Sequence, residues 1–166
     1  LELGPIERST YIDFVTGHVR SRNRSIEPET AGQVYDLFEG NTYCMQRTFN
    51  ESFADTTDGG TCTPGTTSHA IRSMITMLEP TYCEILSNIP EKQKELLYAI
   101  AIDGKAESIT SAAFIRRHSL SSASSVQAAS KKLLERGLVT NTNGTWYLND
   151  MFFGMWIRTL YGTAIN

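Results

Sequence analysis

Gln127 and Lys131 stand four residues apart in SSASSVQAASKKLLERG, with Ser124 before them and Glu135 after, at spacings of three, four and four. On a helix those spacings put all four on one outward stripe. A glutamine amide pairs bidentately with adenine, and a lysine ammonium meets guanine or phosphate, so the stripe carries groups able to read a major groove. Ser122, Arg116, Arg117 and Lys132 flank it and offer a hydroxyl and three cations to a phosphate backbone. The same residues also suit an ordinary solvated helix, whose serine oxygens accept hydrogen bonds from unpaired first-turn amides. Glu135 repels phosphate, and TNTNGT, which follows the helix, holds no Lys or Arg.

Other chemistry is missing. Cys44, Cys62 and Cys83 form no CxxC and are odd in number, which favours reduced thiols, each packed as a small buried hydrophobe, in a cytoplasmic chain. His18, His69 and His118 have no second ligand at metal spacing, so no metal site is expected. Cradling a nucleotide phosphate needs GxxxxGK[ST], in which backbone amides and an ammonium surround the oxygens. The one glycine-rich run, GGTCTPG, has no lysine and includes a proline without an amide donor. With no acidic magnesium-holding strand, GxSxG, HExxH or Cys/His dyad, the chain is expected to be non-catalytic.

These residues must be positioned by a chain of 166 residues that is 40% apolar and 20% charged, enough for one ordinary domain or two small ones. No apolar run approaches the ~20 residues that span a bilayer, and no membrane partner is expected. The opening LELGPIERS has neither an initiator Met nor a secretory pattern, and reads as a cut inside a longer protein. We place a boundary near Pro90. Residues 1–89 hold six Lys+Arg against twelve Asp+Glu, and residues 90–166 hold nine against six. The second part is mildly basic, which permits phosphate contact without requiring it.

Residues 1–89 read as a small helical bundle. STYIDFVTGHVR sets Ile12, Val15 and Val19 on one stripe beside Phe14, with Ser9 as the cap. PETAGQVYDLFEG opens on Pro28, suited to a first helical position, buries Val34, Leu37 and Phe38, and stops at Gly40. A third helix, about 42–54, lines up Tyr43, Met45, Phe49 and Phe53, and 55–68 is expected as a loop. Ile71, Met74, Ile75, Leu78, Tyr82, Ile85 and Ile89 then recur at helical spacing through Pro80, as a kinked helix or two short ones.

Residues 90–166 read as helix, short strand, helix, helix and hairpin. PEKQKELLYAIAIDG buries Leu96, Leu97, Ile100 and Ala101, and SIT at 108–110 is extended. A helix through Ala112, Phe114 and Ile115 ends near Ser119, and the next buries Val126, Ala129, Leu133 and Leu134 before Gly137. Asn143-Gly144 predicts a type I′ hairpin, and Asp150 caps a last helix, MFFGMWIRTLY. That order is the winged-helix arrangement. The fold class is thus mainly α: a helical bundle, then a winged helix-turn-helix domain with a short β-hairpin wing. Phe152, Phe153 and Trp156 either pack into their own core or form a protein-docking surface.

GPIERSTYIDFV, IEPETAGQVYDLFEGNTYCMQ, IPEKQKELLYAIAIDG, FIRRHSLSSASSVQAASKKLLERGLV and WYLNDMFFGMWI together resemble the C-terminal part of archaeal-type prokaryotic ATPases. These belong to the AAA+ superfamily, related to the STAND signalling ATPases. The resemblance runs from about Pro5 to Trp156, leaving out 55–68. It implies that Leu1–Pro5 leave the last strand of an ATPase core, that residues 6–89 are its lid, and that a winged helix follows. It further implies Gly40 and Tyr43 as the lid's turn and aromatic position, and Arg47 as its candidate γ-phosphate sensor. ATP and Mg would belong to the parent protein, and the partners would be the upstream core together with double-stranded DNA or a protein. A stand-alone winged-helix transcriptional regulator and a protein-interaction module are the competing readings.

Overall fold

The computed structural model describes residues 6–161, which fall into two compact units divided between Thr76 and Met77. Leu1–Pro5, the expected strand exit, lie outside the described residues.

The first unit begins with α1 (Arg8–Arg20). Its cap is Glu7 rather than Ser9: the Glu7 carboxylate accepts the amides of Ser9 at 3.1 Å and Thr10 at 2.9 Å, together with both hydroxyls. A carboxylate holds more of these donors than a serine, and its charge suits a helix N-terminus. The Ser9 hydroxyl is itself one of the donors. The buried stripe is Tyr11, Val15 and Val19, while Phe14 is 61% exposed. Tyr11 replaces Ile12 because its ring lies near Tyr35 (6.1 Å) and Phe49 (6.2 Å).

α2 (Pro28–Leu37) has Pro28 in its first turn and ends through Glu39 (φ 50°) and Gly40 (φ 75°), so the reversal takes two left-handed residues. Arg8 clamps Asp36 through two 2.8 Å bonds, its guanidinium lying where a Cβ on Gly32 would sit. α3 (Thr42–Asp55), capped by Asn41, buries Cys44, Met45, Thr48, Phe49 and Ser52. Tyr43, expected on the inner side, is 65% exposed, and Phe53 is half-buried.

The segment expected as a loop contains a strand and a helix start. β1 (Ser25–Ile26) pairs in parallel with β2 (Thr61–Cys62), and α4 (Pro64–Ser87) follows after one residue. Pro80 sits inside α4 and does not end it, so of the two alternatives the single helix is the one found.

The second unit starts in α4, earlier than Pro90, because Tyr82 and Ile89 are core residues there. Tyr82 stacks on Phe153 at 4.7 Å and meets Trp156 at 5.6 Å. Then come α5 (Glu91–Asp103), β3 (Ala106–Glu107), α6 (Ala112–Arg117), α7 (Ala123–Glu135), β4 (Val139–Thr142), β5 (Thr145–Leu148) and α8 (Met151–Leu160). The sheet order is β3-β5-β4, antiparallel throughout. β3 forms two residues before the expected SIT, since small, buried Ala106 is what pairs with Trp146, and Ser108 turns the chain at φ 48°. Leu96, Leu97, Ile100, Leu133, Phe152 and Ile157 make a core of at most 2% exposure. Phe152, Phe153 and Trp156 are at most 4% exposed, so they are core and not a docking surface. The winged-helix expectation is met: three helices, a three-stranded sheet and a hairpin.

Candidate partner-binding face

α7 is aimed by its ends. The Ser122 hydroxyl accepts the Ser125 amide at 3.2 Å and pairs with the Ser124 hydroxyl at 3.1 Å, and Gly137 (φ 68°) closes the C-terminus. Val126, Ala129, Ser130 and Leu133 face the core. Leu134, expected there, is 40% exposed; Ser130 is buried instead, its hydroxyl donating to the Gln127 carbonyl at 2.9 Å. Because that bond satisfies the serine, a polar residue tolerates the core side of the helix.

Ser124, Gln127, Lys131 and Glu135 are all exposed, and Ser122 beside them is occupied as a cap. The flanking cations differ among themselves. Lys132 pairs with Glu135 at 2.7 Å, which holds the Glu135 carboxyl below the usual carboxylate range. Arg117 meets Asp103 at 2.5 Å, donates from Nε to His118 Nε2 at 3.2 Å, and lies over the Phe114 ring at 5.5 Å. Arg116 is exposed and has no ion pair among the described residues.

Sequence reasoning missed the cluster behind Arg117. His118 Nε2 is also 3.1 Å from Asp103 Oδ1, with only 8% of the imidazole exposed. One ring nitrogen either accepts from Arg117 or donates to Asp103, never both at once. Asp103 is the last residue of α5 and Arg117 the last of α6, so only the packing of those helices joins them. The one sequence signal was the adjacent RRH.

The wing carries no compensating charge. Asn143 (φ 52°) and Gly144 (φ 89°) make the tight turn, the Asn141 side-chain oxygen accepts the Gly144 amide at 3.1 Å, and the Thr142 and Tyr147 hydroxyls meet at 2.9 Å. In the first unit, Gly40 is buried at the turn after α2, and Tyr43 and Arg47 are exposed one turn apart on α3. No group of three metal-ligating side chains occurs among the described residues. Cys44 and Cys62 are buried, burial pushing the Cys62 thiol up, whereas Cys83 is exposed, against expectation. No described helix is long and apolar enough to cross a membrane.

Residues 80–159 match the family model described as a probable winged helix domain, in agreement with the order of elements there. Nearly the whole chain is similar in fold to a Walker-type ATPase of Pyrococcus abyssi, at 14% identity and a TM-score of 0.68. The likeness covers 93% of this chain and 42% of that one, so this chain spans well under half of the ATPase's length. No curated protein matches the sequence.

Proposed function

We propose that the chain is the non-catalytic C-terminal module of a P-loop ATPase, a lid followed by a winged helix, which relays nucleotide state to a partner. The observation that carries this reading is the extent of the fold likeness: 93% of the chain is covered, the helical first unit included, not the winged helix alone. ATP and Mg bind the parent's core in this reading. Gly40, Tyr43 and Arg47 are the lid residues to test, the last as a γ-phosphate sensor. The reading frame encoding Leu1 then continues upstream through a GxxxxGK[ST] loop, and the full-length protein hydrolyses ATP while the 166-residue chain does not. An upstream frame without that loop refutes the proposal.

The partner we favour is a protein. Of the four candidate cations Arg116, Arg117, Lys131 and Lys132, Arg117 and Lys132 already hold carboxylates, and the wing adds none. A DNA complex would have to break those pairs or rely on Lys131, Arg116 and the helix-capping Arg136. Duplex DNA is the second reading, favoured by exposed Gln127 and Lys131 on the helix that such domains insert into a groove. A gel shift at low salt decides. Binding lost on Lys131→Ala and Arg117→Ala, and falling steeply with salt, selects DNA; no shift at any salt removes it.

A further inference from the structure

Half of the first unit's six arginines lie within five residues: Arg20, Arg22 and Arg24, in an otherwise acidic part of the chain. Arg20 ends α1 and the other two sit on the turn after it, which is fastened along its length. The amides of Arg22 and Arg24 donate to the Val19 carbonyl at 3.2 and 3.3 Å, and that of Asn23 to Arg20 at 3.2 Å. Asn23 takes the left-handed conformation (φ 57°); its carbonyl accepts the Gly59 amide at 2.7 Å, and the Ser25 amide donates to Gly60 at 3.0 Å. The backbone is used up in these bonds, while the side chains of Arg22 and Arg24 both reach one aromatic ring. The guanidinium carbon of Arg24 lies 3.9 Å from the Phe53 centroid and that of Arg22 lies 5.9 Å from it.

Two like charges brought to one ring repel each other, and no carboxylate pairs with Arg20, Arg22 or Arg24 among the described residues. The acidic neighbour, Asp58, accepts from the Asn23 amide group at 3.1 Å. Arg24 Nε is buried and without a hydrogen-bond partner. It borders a cavity of about 10 Å³, lined also by Phe49, Phe53, Thr56 and Cys62, with room for about one water. The buried Nε apart, stacking on the ring leaves the terminal in-plane N–H groups of a guanidinium free to bind, and a pair of them matches two oxygens of one phosphate.

We propose that Arg22 and Arg24, held on Phe53, form an anion site for a compact, multiply charged phosphate such as the diphosphate of a nucleotide. Two guanidinium carbons within 5.9 Å of one ring centroid, rather than spaced along a face, favour a compact dianion over an extended nucleic-acid backbone. The site uses first-unit residues only, and stands whether or not the ATPase reading does.

The test is calorimetric titration of the full chain with inorganic pyrophosphate at low salt, with a duplex oligonucleotide in a parallel arm. Saturable one-to-one pyrophosphate binding is expected, weakened at least tenfold by Arg22→Gln and by Arg24→Gln and unchanged by Arg72→Gln. Arg24→Lys keeps the charge but loses the paired N–H groups, and should bind several-fold more weakly than wild type. Arg22 is exposed, so its variant keeps the test decisive should Arg24→Gln fail to fold. No saturable binding, equal loss in Arg72→Gln, or binding of the duplex without pyrophosphate binding overturns the proposal.

Discussion

Asp150 joins two parts of the second unit, and removing it should cost more than a helix cap alone. Its Oδ1 accepts the Phe153 amide at 3.1 Å, capping α8, and its Oδ2 accepts the Tyr82 hydroxyl at 3.1 Å from α4. Losing a cap costs about 1 kcal/mol. Losing the tyrosine bond in a half-buried setting costs about 1 kcal/mol more. Asp150→Ala is therefore expected to destabilise the unit by about 2 kcal/mol, and Tyr82→Phe by about 1 kcal/mol. In the double variant the second change should add little, giving a coupling of about 1 kcal/mol. Both tryptophans, Trp146 and Trp156, lie in this unit, so urea unfolding followed by their fluorescence reads it alone. With a slope near the lower end for small domains, about 1–1.5 kcal/mol per molar, the Asp150→Ala midpoint falls by roughly 1.5 M. A loss under about 0.5 kcal/mol, the range of ordinary surface changes, or a coupling of zero refutes the argument.

Three further outcomes follow from the same reasoning. Its hydrogen bonds from Ser9 and Thr10 hold the Glu7 carboxyl at about 2, below the ordinary 4.5, so the cap is intact above the ordinary value and is lost as pH falls towards 2. The Ser9 and Thr10 amide resonances should move through that window, and Glu7→Gln should abolish the movement. Gly144→Ala forces a Cβ into a left-handed turn position (φ 89°), and a loss of about 1–2 kcal/mol is expected in the tryptophan-monitored melt. Leu133, fully buried on α7, should cost about 2–5 kcal/mol when cut to alanine, with Lys131→Ala near zero on the same helix.

What the residues disclosed in advance was punctuation. Ser122, Gly137, Asn143-Gly144 and Asp150 each act within a few residues of themselves, so the order of the winged-helix elements was legible. The outward stripe of α7 followed from spacing alone. Pairing across the fold was not legible. Arg117 reads as a free cation until α5 and α6 bring Asp103 to it. The β1–β2 pair has two residues per strand, too few to show a period, and its partners lie far apart in sequence. Tyr11 displaced Ile12 because three aromatic rings from three helices meet there, which no local window contains. Glu7 was overlooked for a related reason: Ser9 looks like the usual cap, yet a carboxylate two residues earlier takes the first free amides, that of Ser9 included.

The short parallel clasp between Ser25–Ile26 and Thr61–Cys62 gives the intervening chain an unusual tolerance. Everything from Glu27 to Gly60 is a closed excursion whose two ends are stitched side by side, with the Ser25 and Thr61 hydroxyls also meeting at 2.7 Å. A protease nick within that excursion, at the exposed turn of Thr57–Gly59 for instance, would yield two fragments that still share a hydrophobic interior and remain together until a denaturant separates them.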